Sequence, residues 1–249
     1  MFNVPLVVLA MVGVFGLVHA LFALVLTPRQ GDQLLLLFAF IPARYDMSLL
    51  AAESWARGWG AAVWTFVTYA FIHANLNHLF FNSIWLLAFG TPVARRFGAP
   101  RFLAFFVITT AAGAAAHLAT HHGEMGEVIG ASAAISGMMA AAMRFVFQRG
   151  GPLGLLRTRD PDAYRVPAAP LTTALRDRRV LVFLVVWFGT NILFGAGTIA
   201  IPGFDQSVAW EAHIGGFLAG LLAFPIFDPV RDSPTEPDPS DPQYEQSSH

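Results

Sequence analysis

Ser132 and His213 are two side chains whose types and surroundings suit nucleophilic catalysis. A serine hydroxyl is a weak nucleophile until a base removes its proton, and neutral histidine is the usual base near pH 7. Ser132 follows Gly130 and Ala131 at the predicted start of a helix, where unpaired backbone N–H groups favour an oxyanion. These residues predict acyl transfer by a serine–histidine pair. The alternative, that Ser132 only caps the helix, stays open at this point.

His78 and Asn82 form a second candidate group. They are four positions apart, so they share one face of a predicted helix about one turn from each other. Both side chains donate hydrogen bonds, and donors near a nucleophile stabilise the negative charge of a tetrahedral intermediate. The alternative for Asn82 is a polar contact between helices, which is common in membrane bundles.

Ser136 offers a rival nucleophile, because Ser136-Gly137 also resembles a serine–glycine site. It lies one turn farther along the same predicted helix, ~6 Å deeper. At that depth the backbone N–H groups are already used by the helix, whereas those near Ser132 are free. The sequence therefore favours Ser132.

The other histidines are assigned to supporting or structural positions. His73 precedes the helix of His78 and is expected to brace that loop or cap the helix; His19 and His117 are expected to be structural. His121 and His122 lie in a short polar loop and are expected to be solvated. A metal site formed by His73, His78 and the region of Asn77 is the alternative, but the sequence contains no HExxH motif or comparable carboxylate-bearing ligand set, so no metal is predicted.

The composition places these residues in a membrane. Hydrophobic residues make up 55% of the 249 positions and charged residues only 12%, roughly half the charged fraction of a soluble domain. Cysteine is absent, which excludes disulfides and thiolate chemistry. All basic residues are arginine, and the net charge of −1 comes without a basic patch, which argues against a nucleic-acid partner.

The apolar blocks predict six membrane-spanning helices, since a span takes about 20 residues. The first block lacks a basic start and exceeds a signal-peptide core, so it is expected to be a retained helix. The predicted spans are Pro5–Leu26, Asn77–Val93, Phe102–Thr120, Ser132–Phe147, Val180–Ile199 and Val208–Phe227.

Two other segments are not predicted to span. Pro28–Ile72 has only short apolar runs among charged residues, which predicts an ordered interfacial loop with short helices. Residues 228–249 are rich in proline, serine and acidic residues, which predicts a disordered tail after a membrane domain of residues 1–227.

The arginine-rich connectors after the second and fourth spans predict that both termini are cytoplasmic. The second, fourth and sixth spans then enter from the outer face, so His78, Ser132 and His213 lie at similar depth. Gly216 and Gly220 form a GxxxG face, and the fourth span offers small residues in return. Close packing of these two spans is expected to bring His213 to Ser132.

Three motifs together resemble the rhomboid intramembrane proteases. The run from His73 to Asn82 resembles the family's HxxxxHxxxN motif. Gly130-Ala131-Ser132 resembles its GxSG motif, with Ala133 in place of the second glycine, and the run from Ala212 to Gly216 resembles its AHxGG motif. Their order and their placement on the second, fourth and sixth spans are jointly specific, and the resemblance covers most of the chain.

The resemblance implies an all-α, six-helix bundle around a water-accessible cavity, with the segment Pro28–Ile72 as a membrane-embedded first loop. It implies a Ser132–His213 dyad that cleaves transmembrane proteins near the outer face of the bilayer without a cofactor. His78, Asn82 and the Ser132 backbone N–H match the family's oxyanion hole. Ser136 stands where many members carry an aromatic ring packed on the histidine. Supporting positions are His73, Gly130, Gly137, Gly216 and Gly220.

Two other functions are weighed against proteolysis. A catalytically inactive relative that binds transmembrane segments is expected to lose the serine or the histidine, and both are present. A small-solute transporter would need polar residues across the whole bilayer depth, whereas here they cluster toward one face; Asn191 is the exception and is assigned to an interhelical contact. Abundant alanine and arginine without lysine indicate a GC-rich bacterial genome, and so a bacterial inner membrane.

Overall fold

The protein is described here from a computed structural model, which covers residues 4–46, 58–153, 161–195 and 209–230. These residues are helical or irregular and contain no β-strand, and a single antiparallel bridge joins Phe40 to Val128. The helices are α1 Leu6–Ala20, α2 Pro28–Phe38, α3 Gly58–Thr68, α4 Leu76–Trp85, α5 Thr91–Phe97, α6 Ala99–Thr120, α7 Ser132–Ala142, α8 Leu171–Ala174, α9 Arg178–Gly195 and α10 Trp210–Phe227.

Within the described residues, three helical segments are long and apolar enough to cross a bilayer: Leu6–Val25, Ala99–Thr120 and Trp210–Phe227. They correspond to the first, third and sixth predicted spans. Large apolar side chains on their outer surfaces remain exposed, such as Leu24 at 83% and Ile226 at 82%. Such a surface is compatible with lipid and not with water.

The second and fifth predicted spans are helical over much of their length. A π-helical turn, Leu86–Gly90, connects α4 to α5, so helical structure runs from residue 76 to residue 97. α9 covers the predicted fifth span as far as Gly195, and residues 196–208 lie outside the described residues. The count of six spans stays a prediction.

The prediction that the fourth span extends to Phe147 is wrong. α7 ends at Ala142, because the N–H groups of Arg144 and Phe145 bond to carbonyls only three residues back. The guanidinium of Arg144 donates to the carbonyl oxygen of Ala169 at 2.8 Å, which ties this turn to the connector. α7 therefore rises only ~16 Å and lies buried inside the bundle, with every residue from 133 to 142 buried.

The contact expected between the fourth and sixth predicted spans is present. A methyl group added to Gly216 would overlap the carbonyl oxygen of Ala133, and one added to Gly220 would overlap that of Gly137. The backbones of α7 and α10 therefore touch directly, as small residues allow in membrane proteins. This contact places the start of α10 beside the start of α7.

The segment predicted as the first loop contains the short helices α2 and α3. Thr27 and Gln30 form a reciprocal capping box at the start of α2. α3 is attached to the end of α2 by the indole N–H of Trp64, which donates to Leu37 O at 2.7 Å, and by the Thr68 hydroxyl, which donates to Phe38 O at 2.8 Å. Residues 47–57 lie outside the described residues, and the depth of the loop in the membrane stays a prediction.

A charged cluster of Arg96 and Asp228 lies at the end of α10, away from the contact between the starts of α7 and α10. The Arg96 guanidinium donates to both carboxylate oxygens of Asp228 at 2.8 Å and to the carbonyls of Tyr164 and Val166. The two charged side chains are 0% and 7% exposed. Asp228 is therefore an ordered part of the bundle, although the predicted tail begins at this residue. Residues 231–249 lie outside the described residues.

Candidate active site

Ser132 and His213 lie within hydrogen-bonding distance of each other. Ser132 is the first residue of α7, and His213 lies in the first turn of α10. The Ser132 Oγ is 2.7 Å from the His213 Nε2, which is a normal length for a hydroxyl hydrogen bond. The structure thus brings together two residues that are 81 positions apart in the sequence.

Asn191 of α9 holds the other nitrogen of the His213 ring. The Asn191 Oδ1 is 2.6 Å from the His213 Nδ1, and the Asn191 Nδ2 donates to the carbonyl oxygen of Trp187 at 2.7 Å. Because the amide nitrogen faces a carbonyl, the amide oxygen must face the ring, and the ring nitrogen there must carry the proton. The His213 Nε2 is then unprotonated and accepts the Ser132 O–H.

Sequence reasoning did not connect Asn191 to the site. It assigned Asn191 to an interhelical contact without naming the partner, because a polar residue in an apolar helix shows no partner in the sequence. A weak signal was present: polar residues inside spans are expected to be functional. Asn191 is 7% exposed and the structure gives its amide two partners.

The backbone before Ser132 depends on Gly130. Its φ of +104° lies in a region that side-chain-bearing residues rarely adopt, and a Cβ there would overlap the His78 ring at Nε2. The Gly130 N–H donates to the Tyr69 carbonyl at 3.0 Å. The N-cap of α7 is Ala131, which provides no side-chain cap, so Ser132 is not the capping residue and its hydroxyl faces His213.

His78 presents its Nε2 to this turn. Its Nδ1 accepts a long 3.5 Å hydrogen bond from the Ala74 N–H, so the proton of the neutral ring belongs on Nε2. The Nε2 contacts the Gly130 backbone that leads into Ser132. His78 thus has an N–H beside the turn, and its role as an oxyanion donor stays a prediction.

Asn82 lies one turn below His78 on α4 and is 4% exposed. Its Nδ2 donates to the His78 carbonyl at 3.0 Å, which fixes the amide and leaves a second N–H on the same nitrogen. Its role as an oxyanion donor stays a prediction.

His73 supports His78 from behind. It is 3% exposed, and its ring meets the His78 ring edge to face with centroids 5.1 Å apart. The His73 carbonyl oxygen is 3.1 Å from the His19 Nδ1 of α1. His73 thus contacts both His78 and His19, and its supporting role stays a prediction.

The structure shows what the Ser136 hydroxyl and the Ala133 methyl group contact, which the sequence does not decide. The Ser136 hydroxyl donates to the Ser132 carbonyl oxygen at 2.8 Å, within its own helix, and the residue is 3% exposed. The methyl group of Ala133 faces α6, because a Cβ built on Gly113 would lie 2.5 Å from the Ala133 Cβ. The methyl that replaces the motif's second glycine therefore occupies space that Gly113 leaves free.

Comparisons with known proteins agree with the motifs. A family model described as the rhomboid domain matches residues 60–228. Proteins named rhomboid protease GlpG from several bacteria are similar to this chain. That of Pectobacterium atrosepticum is 26% identical over 67% of this chain and 49% of its own length. The protein of Serratia proteamaculans is 27% identical over 64% and 46%, and that of an Enterobacter species is 25% identical over 76% and 59%.

The chain spans about half the length of the curated relatives it matches. The matched region runs from α3 through α10 and so contains Ser132, His213, His78 and Asn82. The match to the rhomboid family model and the apolar surfaces of the helices together show that this is an integral membrane protein. The family model covers well over half of the sequence, and the chain belongs to the rhomboid family.

Proposed function

We propose that this protein is an intramembrane serine endopeptidase that cleaves transmembrane segments of other proteins, with Ser132 as nucleophile and His213 as general base. The proposal rests on the 2.7 Å contact between the Ser132 Oγ and the His213 Nε2. It is supported by similarity to bacterial proteins named rhomboid proteases. No cofactor takes part in this reaction.

In the first step, the Ser132 oxygen attacks the carbonyl carbon of the scissile peptide bond while its proton passes to the His213 Nε2. The ring is then an imidazolium, which the Asn191 Oδ1 stabilises through the Nδ1–H. Collapse of the tetrahedral intermediate breaks the C–N bond, and the Nε2 proton goes to the leaving amine. Water then attacks the acyl-enzyme by the same route, and the serine is regenerated.

The oxyanion is stabilised by three donors: the Ser132 backbone N–H at the start of α7, the His78 Nε2–H and the free N–H of the Asn82 amide. The helix start contributes N–H groups that have no partner within the helix. Removing one such donor costs about 10²–10³ in kcat. We expect Asn82→Ala and His78→Ala to lower kcat by about this factor, with a smaller change in KM, in a peptide-cleavage assay.

We place Ser132 and His213 toward the outer face of a bacterial inner membrane, with both termini in the cytoplasm. His213 lies in the first turn of α10, and Asp228, the partner of Arg96, follows its last turn, ~22 Å away. The charged cluster of Arg96 and Asp228 thus lies at the end of the bundle opposite the proposed site. Arginine is enriched on the cytoplasmic side of membrane proteins.

The test is cleavage of a model transmembrane substrate by the purified protein in detergent. Ser132→Ala and His213→Ala are expected to abolish cleavage, and labelling by a fluorophosphonate probe is expected in the wild type and absent in Ser132→Ala. Ser136→Ala is the matched control, because Ser136 lies one turn away on the same helix and its hydroxyl bonds within that helix. Undiminished cleavage by Ser132→Ala, or its loss in Ser136→Ala alone, refutes the assignment.

A further inference from the structure

A second cluster of ligand-type side chains lies where α6 ends and α10 begins. His117 is in the last turn of α6, His121 directly follows that helix, and Glu211 is in the first turn of α10. One nitrogen of each imidazole and one carboxylate oxygen lie within 4.8 Å of one another. None of these residues takes part in the proposed peptidase reaction.

His121 turns its Nε2 toward this cluster. Its Nδ1 lies 2.8 Å from the Thr120 hydroxyl oxygen, and its Nε2 lies 3.9 Å from the Glu211 Oε1, beyond hydrogen-bonding distance. The His117 and His121 rings are stacked and nearly parallel, with centroids 4.1 Å apart. Because the lone pair of an imidazole nitrogen lies in the plane of its ring, one ring must rotate out of this stack for both nitrogens to bind the same ion.

His117 adds a second nitrogen with an unmet hydrogen-bonding capacity. Its Nδ1 is buried and has no hydrogen-bond partner among the residues that the structure describes. It lies 3.6 Å from the Glu211 Oε2, too far for a hydrogen bond, and the His117 side chain is 10% exposed. Buried polar atoms normally have a hydrogen-bond partner or a ligand, so a partner is expected for the His117 Nδ1.

We infer that His117, His121 and Glu211 bind a divalent transition-metal ion, of which zinc fits best. Two imidazole nitrogens and one carboxylate oxygen are a frequent zinc ligand set, with bonds of about 2.0–2.2 Å and a fourth position for water. Calcium and magnesium prefer sets made of oxygen atoms. The Thr120 oxygen would act as the outer partner that orients the His121 ring, as is common for metal-binding histidines.

The position of the cluster gives the ion a structural role. Glu211 precedes His213 by two residues in the first turn of α10, and α6 packs closely on this helix, since a Cβ on Gly113 would lie 2.8 Å from the Ala212 carbonyl oxygen. An ion bound here would tie the end of α6 to the start of α10. It would therefore stabilise the helix that carries His213, whether or not the chain cleaves peptides.

The test uses the untagged full chain in detergent, stripped with a chelator, dialysed and titrated with zinc against a chromogenic chelator. We expect one zinc per chain, and at least ~10-fold weaker binding in Glu211→Gln and in His121→Ala. His122→Ala is the matched control and is expected to bind like the wild type. Zinc is expected to raise the thermal unfolding temperature of the wild type but not of Glu211→Gln, and calcium and magnesium are expected to have no effect.

Two results would overturn the inference, and a third is a control for folding. Zinc that washes out of the wild type as readily as out of a His121→Ala/Glu211→Gln variant would be an adventitious ion only. Loss of zinc in His213→Ala with full retention in Glu211→Gln would place the ion on the proposed base instead. A variant that binds no zinc but also melts below the chelator-treated wild type counts as misfolded, and His121→Ala, at the more exposed ligand, then decides.

Discussion

Replacing Asn191 with leucine removes the hydrogen-bond acceptor of the His213 Nδ1 while keeping nearly the same side-chain volume. In the structure, the Asn191 Oδ1 lies 2.6 Å from that nitrogen, and the Asn191 Nδ2 is fixed by the Trp187 carbonyl. Two consequences follow for a reaction that uses His213 as a base. The ring loses the bond that selects its tautomer, and the imidazolium formed in the transition state loses its acceptor.

The size of the effect follows from the difference between the two protonation states of His213. A hydrogen bond contributes about 0.5–1.5 kcal/mol when both groups are neutral and about 1.5–3 kcal/mol when one is charged, so the transition state loses about 1–1.5 kcal/mol more than the ground state. Loss of tautomer and ring orientation brings the total to about 2–3 kcal/mol. We therefore expect kcat to fall by about 30- to 150-fold.

The assay is steady-state cleavage of a fluorogenic transmembrane substrate in detergent, with kcat and KM measured separately. KM is expected to change little, because Asn191 contacts His213 and its own helix. Asn191→Asp is expected to keep most of the activity, and the acidic limb of its pH profile is expected at higher pH, because a carboxylate stabilises the imidazolium. A residue that only packs helices together would not move the pH profile.

Thr190→Val is the matched control, since the neighbouring Thr190 hydroxyl bonds only to carbonyls of its own helix, at Val186 and Trp187, and faces outward. Its kcat is expected to equal that of the wild type. If Asn191→Leu, with an unfolding temperature close to the wild type, retains kcat within about threefold, which is ~0.65 kcal/mol, Asn191 does not orient the base. An unshifted pH profile in an active Asn191→Asp contradicts the same reasoning.

Three further predictions concern packing and the opposite end of the bundle. Gly220→Ala is expected to cost about 1–3 kcal/mol of stability by overpacking, measured by thermal or denaturant unfolding, whereas Gly189→Ala is expected to cost nothing because a Cβ there meets no atom within 4 Å. Arg96→Met leaves the largely buried Asp228 carboxylate unpaired and is expected to cost about 3–5 kcal/mol, whereas Arg101→Met at an exposed position is expected to unfold like the wild type. Ala133→Gly is expected to leave kcat unchanged, because the methyl faces Gly113; a large gain in kcat would mean that this methyl restrains the site.

The sequence was informative wherever a pattern is local. Long apolar blocks identified three spans because a helix in lipid satisfies its own backbone, so length and hydropathy suffice to recognise it. The same reasoning failed at the end of α7, where tight turns and the bond from Arg144 to Ala169 end the helix after Ala142. No local signal marks that end, because the partner lies 25 residues away.

The pairing of Ser132 with His213 was predicted from small residues that permit a close approach of two helices, together with the motifs. Their distance, and the tautomer of the ring, depend on how α7, α9 and α10 pack. Asn191 and Glu211 show this limit: in the sequence they are a polar residue in one apolar helix and an acidic residue at the start of another. The Asn191 Oδ1 and the Glu211 carboxylate each meet a side chain of a different helix, which no local pattern shows.

The sequence by itself determined that the chain lies in a membrane, which helices carry the polar residues, and that a serine, a histidine and two donors are available for chemistry. These properties follow from composition and from periodicity within single segments. Only the tertiary structure decided which atoms meet: the Ser132 Oγ with the His213 Nε2, and the His213 Nδ1 with Asn191. Hydrogen bonds require ångström-scale placement of groups from different helices, and that placement is set by the packing of the whole bundle.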